Sequence, residues 1–356
     1  MSFTHAPLSR RTVLKAAAFA PVAVAVGMPA GRAAAQSELV VTMVTDTAGL
    51  GDQNFNDLAA KGLEQAKSEL GVTTNIIESR DAAAYIPNLT QSAEQSDLTV
   101  GVGFLLTEAI TEVANQYPDD QFLLIDAVSD APNVESVVFK EQEAAFLAGV
   151  AAALTSQSKK LGVVGGIKIP PVVRYAVGFE AGAKSAVPEV EVIVSYADTF
   201  DDPALGKELT LAQFNQDADV AFPVAGKTGI GSFDAAKEKG EGFWVIAADA
   251  DQSQLGAEFQ LAVAAKGVDT AVFSAAQQLV DGAFEGGIRE LGLAENGVDL
   301  LNPGGHVTEE IMATVDAYKA AIVAGALVVP ADEEQLASFS PVPSDGLPIA
   351  AATPAA

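Results

Sequence analysis

Leu39-Val40-Val41-Thr42-Met43-Val44-Thr45-Asp46-Thr47-Ala48-Gly49-Leu50-Gly51-Asp52-Gln53-Asn54-Phe55-Asn56 is an apolar run that gives way to a polar, glycine-bearing loop. Residues 57–70 follow and place Leu58, Gly62, Leu63, Ala66 and Leu70 on one helical face. The opening run is apolar without strict alternation, which fits a strand buried on both faces of a parallel sheet. The same unit of strand, loop and helix recurs. Short runs rich in Val, Ile, Leu or Phe stand at 73–77, 98–102, 122–125, 134–139, 161–164, 190–196, 220–223 and 243–247. Helical patterns separate them, so the chain reads as a series of βαβ units. The two halves begin and alternate alike, which predicts a pseudo-duplicated, two-lobed α/β protein. Val268, Val272, Ala275, Leu279 and Ala283 mark a further amphipathic helix. Another is predicted from Thr308, as N-cap, to Gly325. Residues 331–356 are rich in Pro, Ser and Ala without a period and read as a flexible tail.

Composition narrows the function. The chain has 356 residues, with 20 Lys+Arg against 47 Asp+Glu, for a net charge of −27. That balance argues against a duplex nucleic-acid binder, which needs clustered basic residues to neutralise phosphates. It equally disfavours an anionic membrane surface or a highly phosphorylated ligand. There is no Cys, which excludes disulfides, thiolate zinc sites and Cys nucleophiles. His5 and His306 are the only histidines, so a His-based metal cage or a Ser-His-Asp triad lacks raw material.

The first 35 residues read as an address. Ser9-Arg10-Arg11-Thr12-Val13-Leu14-Lys15 precedes an apolar run over 16–30 and the small residues Ala33-Ala34-Ala35. This is the order of a secretory signal. The paired arginines resemble a twin-arginine signal. The run is shorter than a bilayer span and is interrupted by Pro21 and Pro29. An exported protein without Cys carries no lipid on that residue, so the expected location is periplasmic or extracellular.

Several polar or aromatic side chains follow strand runs directly. Asp52, Asn54 and Asn56 in the first loop read as helix caps or as parts of a ligand clamp with Phe55. Asp126 follows 122–125 and reads as a turn residue or a site residue. Phe200 sits among acids in Asp198-Thr199-Phe200-Asp201-Asp202-Pro203. Asp249 and Asp251 follow another strand, and Lys266 follows the run at 260–263 and precedes a helix. Gly226-Lys227-Thr228 invites a P-loop reading, but the glycine required five residues earlier is Ala221. Pro223 also removes a backbone donor from the cradle.

Taken together, these motifs resemble the basic membrane protein family, the purine-nucleoside-receptor-like substrate-binding proteins of ABC transporters. The matching pieces run from about Leu39 to Pro330. They include Val44-Thr45-Asp46 with Asn54-Phe55-Asn56, Val102-Gly103-Phe104 and the run at 122–126. Gly162-Val163-Val164-Gly165-Gly166, Phe200-Asp201-Asp202-Pro203, Phe222-Pro223 with Gly226, Asp249-Ala250-Asp251-Gln252 and Lys266 complete the set.

The resemblance implies a type I periplasmic-binding-protein fold: two doubly wound parallel-sheet lobes, joined by crossover strands, with a ligand cleft between them. It implies an N-terminal lobe over 36–140 plus about 255–292 and a C-terminal lobe over 141–254 plus about 293–330. It implies a purine sandwiched between Phe55 and Phe200, its edge read by Asn56 and Asp126. Asp46, Asp249 and Lys266 would hold the ribose, and Gly226 would allow close backbone approach. The implied function is an extracytoplasmic receptor of an ABC importer, binding a neutral nucleoside and delivering it to a permease. It is expected to be a monomer and no enzyme, with no metal or cofactor. A receptor for another heterocycle or a sugar is the alternative on the same fold. An exported nucleoside hydrolase is a third reading.

Overall fold

The computed structural model describes residues 39–347. The twin-arginine leader proposed for the first 35 residues lies outside them. Among the described residues, twelve strands form two six-stranded sheets, ordered β2-β1-β3-β4-β5-β11 and β7-β6-β8-β9-β10-β12. The first is parallel throughout; the second is parallel except for β10 against β12. Each sheet is thus wound outward in both directions from its first strand.

The first lobe opens with β1 (Val40–Val44), whose register runs against β2 (Thr73–Ile77) and β3 (Leu98–Val102). Its central strands are almost fully buried, as their apolar runs require when helices cover both faces. Helix α1 (Phe55–Leu70) connects β1 to β2. Asn54 caps it by accepting from the Phe55 N–H at 2.8 Å, and Gly71 closes it in the left-handed region at φ +70°. Helices α2 (Tyr85–Gln95) and α3 (Thr107–Gln116) lead to β3 and β4 (Gln121–Ile125), and β5 (Val134–Phe139) follows.

The chain crosses to the second lobe at Lys140. There α4 (Glu141–Thr155) packs on α5 (Pro170–Ala186), the helix that follows β6 (Lys160–Gly165). Strands β7 (Glu191–Tyr196), β8 (Val220–Val224) and β9 (Trp244–Asp249) alternate with α6 (Pro203–Phe214) and α7 (Ile230–Lys239), and β10 (Gln260–Lys266) completes the parallel set. A second crossing at Gly267 returns the chain to α8 (Val268–Asp281), which packs on α1, and to β11 (Gly287–Leu291). A third, over 292–297, leads to β12 (Val298–Leu301) and α9 (Glu309–Val323). The three crossings touch: the Lys140 N–H donates to Leu291 O at 2.9 Å and the Gly267 N–H to Gly297 O at 2.8 Å.

Two expectations change. The return to the first lobe comes after Lys266 rather than at about 255, because β10 is laddered between β9 and β12 in the second sheet. Residues 331–347 are also not a loose tail. They form α10 (Glu333–Ser338) and lie on the second lobe, with Phe339 6.5 Å edge-on from Phe146 and Lys168 2.9 Å from Glu333. The buried Tyr318 hydroxyl donates to Val342 O at 2.8 Å. A few apolar side chains at irregular spacing anchor a segment whose composition alone reads as linker.

Candidate functional site

The loops after β1, β3, β4, β6, β7, β8 and β9 and the end of β10 meet at one place, where the carboxyl ends of both sheets face each other. In open α/β sheets such strand ends are where ligands bind. A cleft there holds about 590 Å³ of space not filled by protein atoms, part of it open to solvent. All eight residues singled out in the sequence line it: Asp46, Phe55, Asn56 and Asp126 from the first lobe, and Phe200, Gly226, Asp249 and Lys266 from the second. Phe55 and Phe200 are half-buried, so each leaves part of its ring to the cleft.

Asn56 is placed by the first turn of α1. Capping falls to its neighbours: Asn54 takes the Phe55 N–H, and Asp52 accepts from the backbone of Asn54, Asn56 and Asp57. The side chain of Asn56 is free to point elsewhere. Its Nδ2 donates to Asp46 Oδ1 and to Asp52 Oδ2, each at 3.1 Å. With both donors taken by carboxylates, its Oδ1 is left buried without a partner. Asp46 also accepts from the Ala48 N–H at 3.0 Å. Burial pushes its carboxyl up to about 6, against the lowering effect of these hydrogen bonds.

The opposite wall is built on Lys266, the last residue of β10 and almost fully buried. Its Nζ lies 2.5 Å from Asp126 Oδ2 and 3.0 Å from Glu141 Oε1. Burial disfavours its charge, but Asp126, Glu141 and Asp249 hold its pKa above the ordinary lysine value. Arg174 Nε meets the other oxygen of Glu141 at 2.5 Å. Burial opposes the charge on Glu141 as well, yet Lys266 and Arg174 keep it below the usual carboxylate range. Asp126 is pushed up to about 7, by burial first, with Lys266 opposing and the Glu141 charge adding to the rise. Its Oδ1 has no partner in the protein. Burial also raises Asp249, whose Oδ1 accepts from the Tyr175 hydroxyl at 2.7 Å.

Asp126 and Asp249 share a backbone feature. Their φ angles are +69° and +63°, a region that side-chain-bearing residues occupy rarely and at some cost. Both stand at the end of the fourth strand of their own sheet. The strained turn aims each carboxylate into the cleft rather than along the sheet.

The free polar atoms that result are acceptors, Asn56 Oδ1 and Asp126 Oδ1. Among the described residues, the only basic side chain lining the cleft is Lys266, which is already engaged by two acids. Such a surface takes a ligand that offers hydroxyl or N–H donors and an apolar face. Among the described residues it offers no free cation to a phosphate.

The family model for the PnrA-like ABC transporter substrate-binding protein matches residues 39–333. The chain belongs to that family. It is 34% identical to a Lactococcus lactis protein named an ABC transporter nucleoside-binding protein, across 90% of this chain and 99% of that one. It is 38% identical to an uncharacterised lipoprotein of Pyrococcus horikoshii, across 72% of this chain and 67% of the other. A solved ABC transporter solute-binding protein of Aeropyrum pernix superposes with a TM-score of 0.76 at 33% identity, covering 84% of this chain and 96% of that one. The protein is thus an ABC transporter substrate-binding protein of periplasmic-binding-protein type I fold.

Sequence reasoning missed part of this substrate-binding cleft. Glu141 opens a helix, where an acid reads as a complement to the helix dipole. Its complete burial between Lys266 and Arg174 depends on the first crossing between lobes. Tyr175 lies among apolar residues of α5 and reads as core; its hydroxyl donates to Asp249 and its ring centroid lies 5.7 Å from Lys266 Nζ. Asp251, two residues past Asp249, turns away and accepts from Gln260 Nε2 at 2.7 Å.

Proposed function

We propose that the cleft binds a neutral nucleoside, most simply a purine nucleoside, and that the protein is the extracytoplasmic receptor of an ABC importer. One observation carries this reading: two free acceptors, Asn56 Oδ1 and Asp126 Oδ1, lie in a cleft that also receives one Phe from each lobe. A purine has an apolar face for the rings and N–H donors on its edge. The hydroxyls of a ribose suit Asp46, Asp249 and Lys266. The name of the Lactococcus lactis relative points the same way. Stacking contributes roughly 1–3 kcal/mol per base. Micromolar binding needs about −8 kcal/mol, so the hydrogen bonds must supply much of the remainder. The ligand closes the two lobes about the three crossings, and the closed monomer is presented to a permease. With no Cys in the chain, it acts in the periplasm or outside the cell without a lipid on that residue.

The test is a thermal-shift panel on residues 36–356 with nucleosides, free bases, nucleoside monophosphates and sugars, repeated on Phe200→Ala. Ligand that binds only the folded state raises Tm with ln(1 + [L]/Kd). Shifts with adenosine, guanosine or inosine, absent with their monophosphates and reduced in Phe200→Ala, are expected. A shift with ribose alone would instead favour a sugar receptor, which the four carboxylates of the cleft also suit.

A further inference from the structure

Gly226-Lys227-Thr228, the segment that imitates a P-loop without its glycine, has a different occupation. Thr228 is completely buried. Its N–H donates to Phe200 O at 3.1 Å. Its hydroxyl accepts from the Asp202 N–H at 2.9 Å and points to Thr199 O at 3.4 Å. One residue therefore holds the backbone before, at and after Phe200. Lys227 adds an ion pair with Asp201 at 3.0 Å on the solvent side. Gly226, at φ +55°, brings the turn so close that an added Cβ would lie 3.3 Å from Phe200 O. The ring itself rests on Gly166, where a Cβ would come within 2.2 Å of Phe200 Cε1. The loops after β6, β7 and β8 thus converge on one half-buried ring.

Such fastening is more than a fold needs. The loop 197–202 carries its own turn and the Asp202 cap on α6, and an aromatic side chain can be buried without a buried hydroxyl on either side of it. A ring that must present one face to a ligand gains from losing its freedom in advance. We propose that Thr228 is a positioning residue that pre-organises Phe200 as a ligand platform through the backbone of residues 199–202. This rests on Phe200 contacting the ligand, as in the reading above.

Titration calorimetry with adenosine, guanosine and inosine tests it on the wild type, Thr228→Val, Thr228→Ser, Phe200→Ala and the double variant Thr228→Val/Phe200→Ala. Thr228→Val keeps the shape and removes the hydroxyl. It is expected to weaken binding about tenfold, the size of a lost hydrogen bond or two. Thr228→Ser restores most of the affinity. In the Phe200→Ala background Thr228→Val has no further effect, because the residue acts only through the ring. A loss that is equally large in that background, or no loss in Thr228→Val while Phe200→Ala weakens binding, overturns the proposal and leaves the nucleoside reading intact. No binding to the wild type, or full binding by Phe200→Ala, overturns that reading and this proposal with it. If Thr228→Val does not fold, Thr228→Ala on the same cycle takes its place.

Discussion

Lys266 Nζ and Asp126 Oδ2 lie 2.5 Å apart across the cleft, the first at the end of β10 in the second lobe, the second just past β4 in the first. Lys266 and its second acidic partner sit beside the crossings of the chain. Lys266 precedes Gly267, and Glu141, its other partner, follows Lys140. Binding chemistry and hinge are therefore built from one buried charge cluster, in which Asp126, Glu141 and Asp249 outnumber Lys266 and Arg174.

That imbalance makes Lys266→Met informative. Removing one partner of a buried pair typically costs about 3–5 kcal/mol. Here it leaves Asp126 and Asp249 without their cation, while Glu141 retains Arg174. Both aspartates already titrate above their usual range, and loss of the cation raises them further. A carboxyl whose folded pKa is raised loses stability as pH rises from its unfolded value through the folded one. The variant should melt well below wild type at pH 8 and less far below it at pH 5. Equal losses at both pH values would refute the charge-cluster account.

Much of this was legible in the sequence. The strand runs at 98–102 and 134–139 coincide with strands of the structure because they are buried and carry an apolar signature, whereas the run at 73–77 coincides with a half-exposed edge strand. All eight named cleft residues converge because each ends a strand or lies in the loop or first helical turn after one, and strand ends converge in this fold. Edge strands β11 and β12 left no such mark: Gly287-Ile288-Arg289-Glu290-Leu291 is half exposed and mixes charge with apolar residues. Burial of Glu141 was illegible because it arises from partners 33 and 125 residues away in sequence, which only the crossings bring together.

Asp46 gives a second pH prediction with a defined window. Its carboxyl moves from 3.8 to about 6 on burial. At about 1.4 kcal/mol per pH unit, keeping it ionised costs the folded protein about 3 kcal/mol above pH 6. The cost is absent below pH 4, where the group is neutral in both states. Asp46→Asn retains an oxygen to accept from Asn56 and Ala48 and removes the charge. Relative to wild type, its Tm should rise between pH 4 and pH 6 and then stay level. Melting curves across that range check it; a difference that does not change with pH would show that Asp46 ionises freely. The same variant should bind nucleosides more weakly, since an ionised acceptor for a ligand hydroxyl is lost.

A last prediction concerns the mouth of the cleft. Gln254 Nε2, in the turn after β9, donates to Gln53 Oε1, in the loop before α1, at 3.1 Å. This exposed bond joins the lobes, so a hinge opening that parts the loops after β1 and β9 must break it. Gln53 is held for the purpose: its N–H donates to Asp57 Oδ2 at 2.9 Å and its φ is +58°. An exposed amide–amide bond contributes at most about 1 kcal/mol net. Gln254→Ala should therefore leave Tm nearly unchanged and raise the nucleoside dissociation rate about two- to fivefold, with little effect on association. Gln53→Ala should do the same, and the double variant no more than either alone, because both remove one bond. Stopped-flow dissociation measurements separate the outcomes. Additive effects of the two substitutions, or a dissociation rate that stays at the wild-type value, would mean that the cleft opens without passing through this contact.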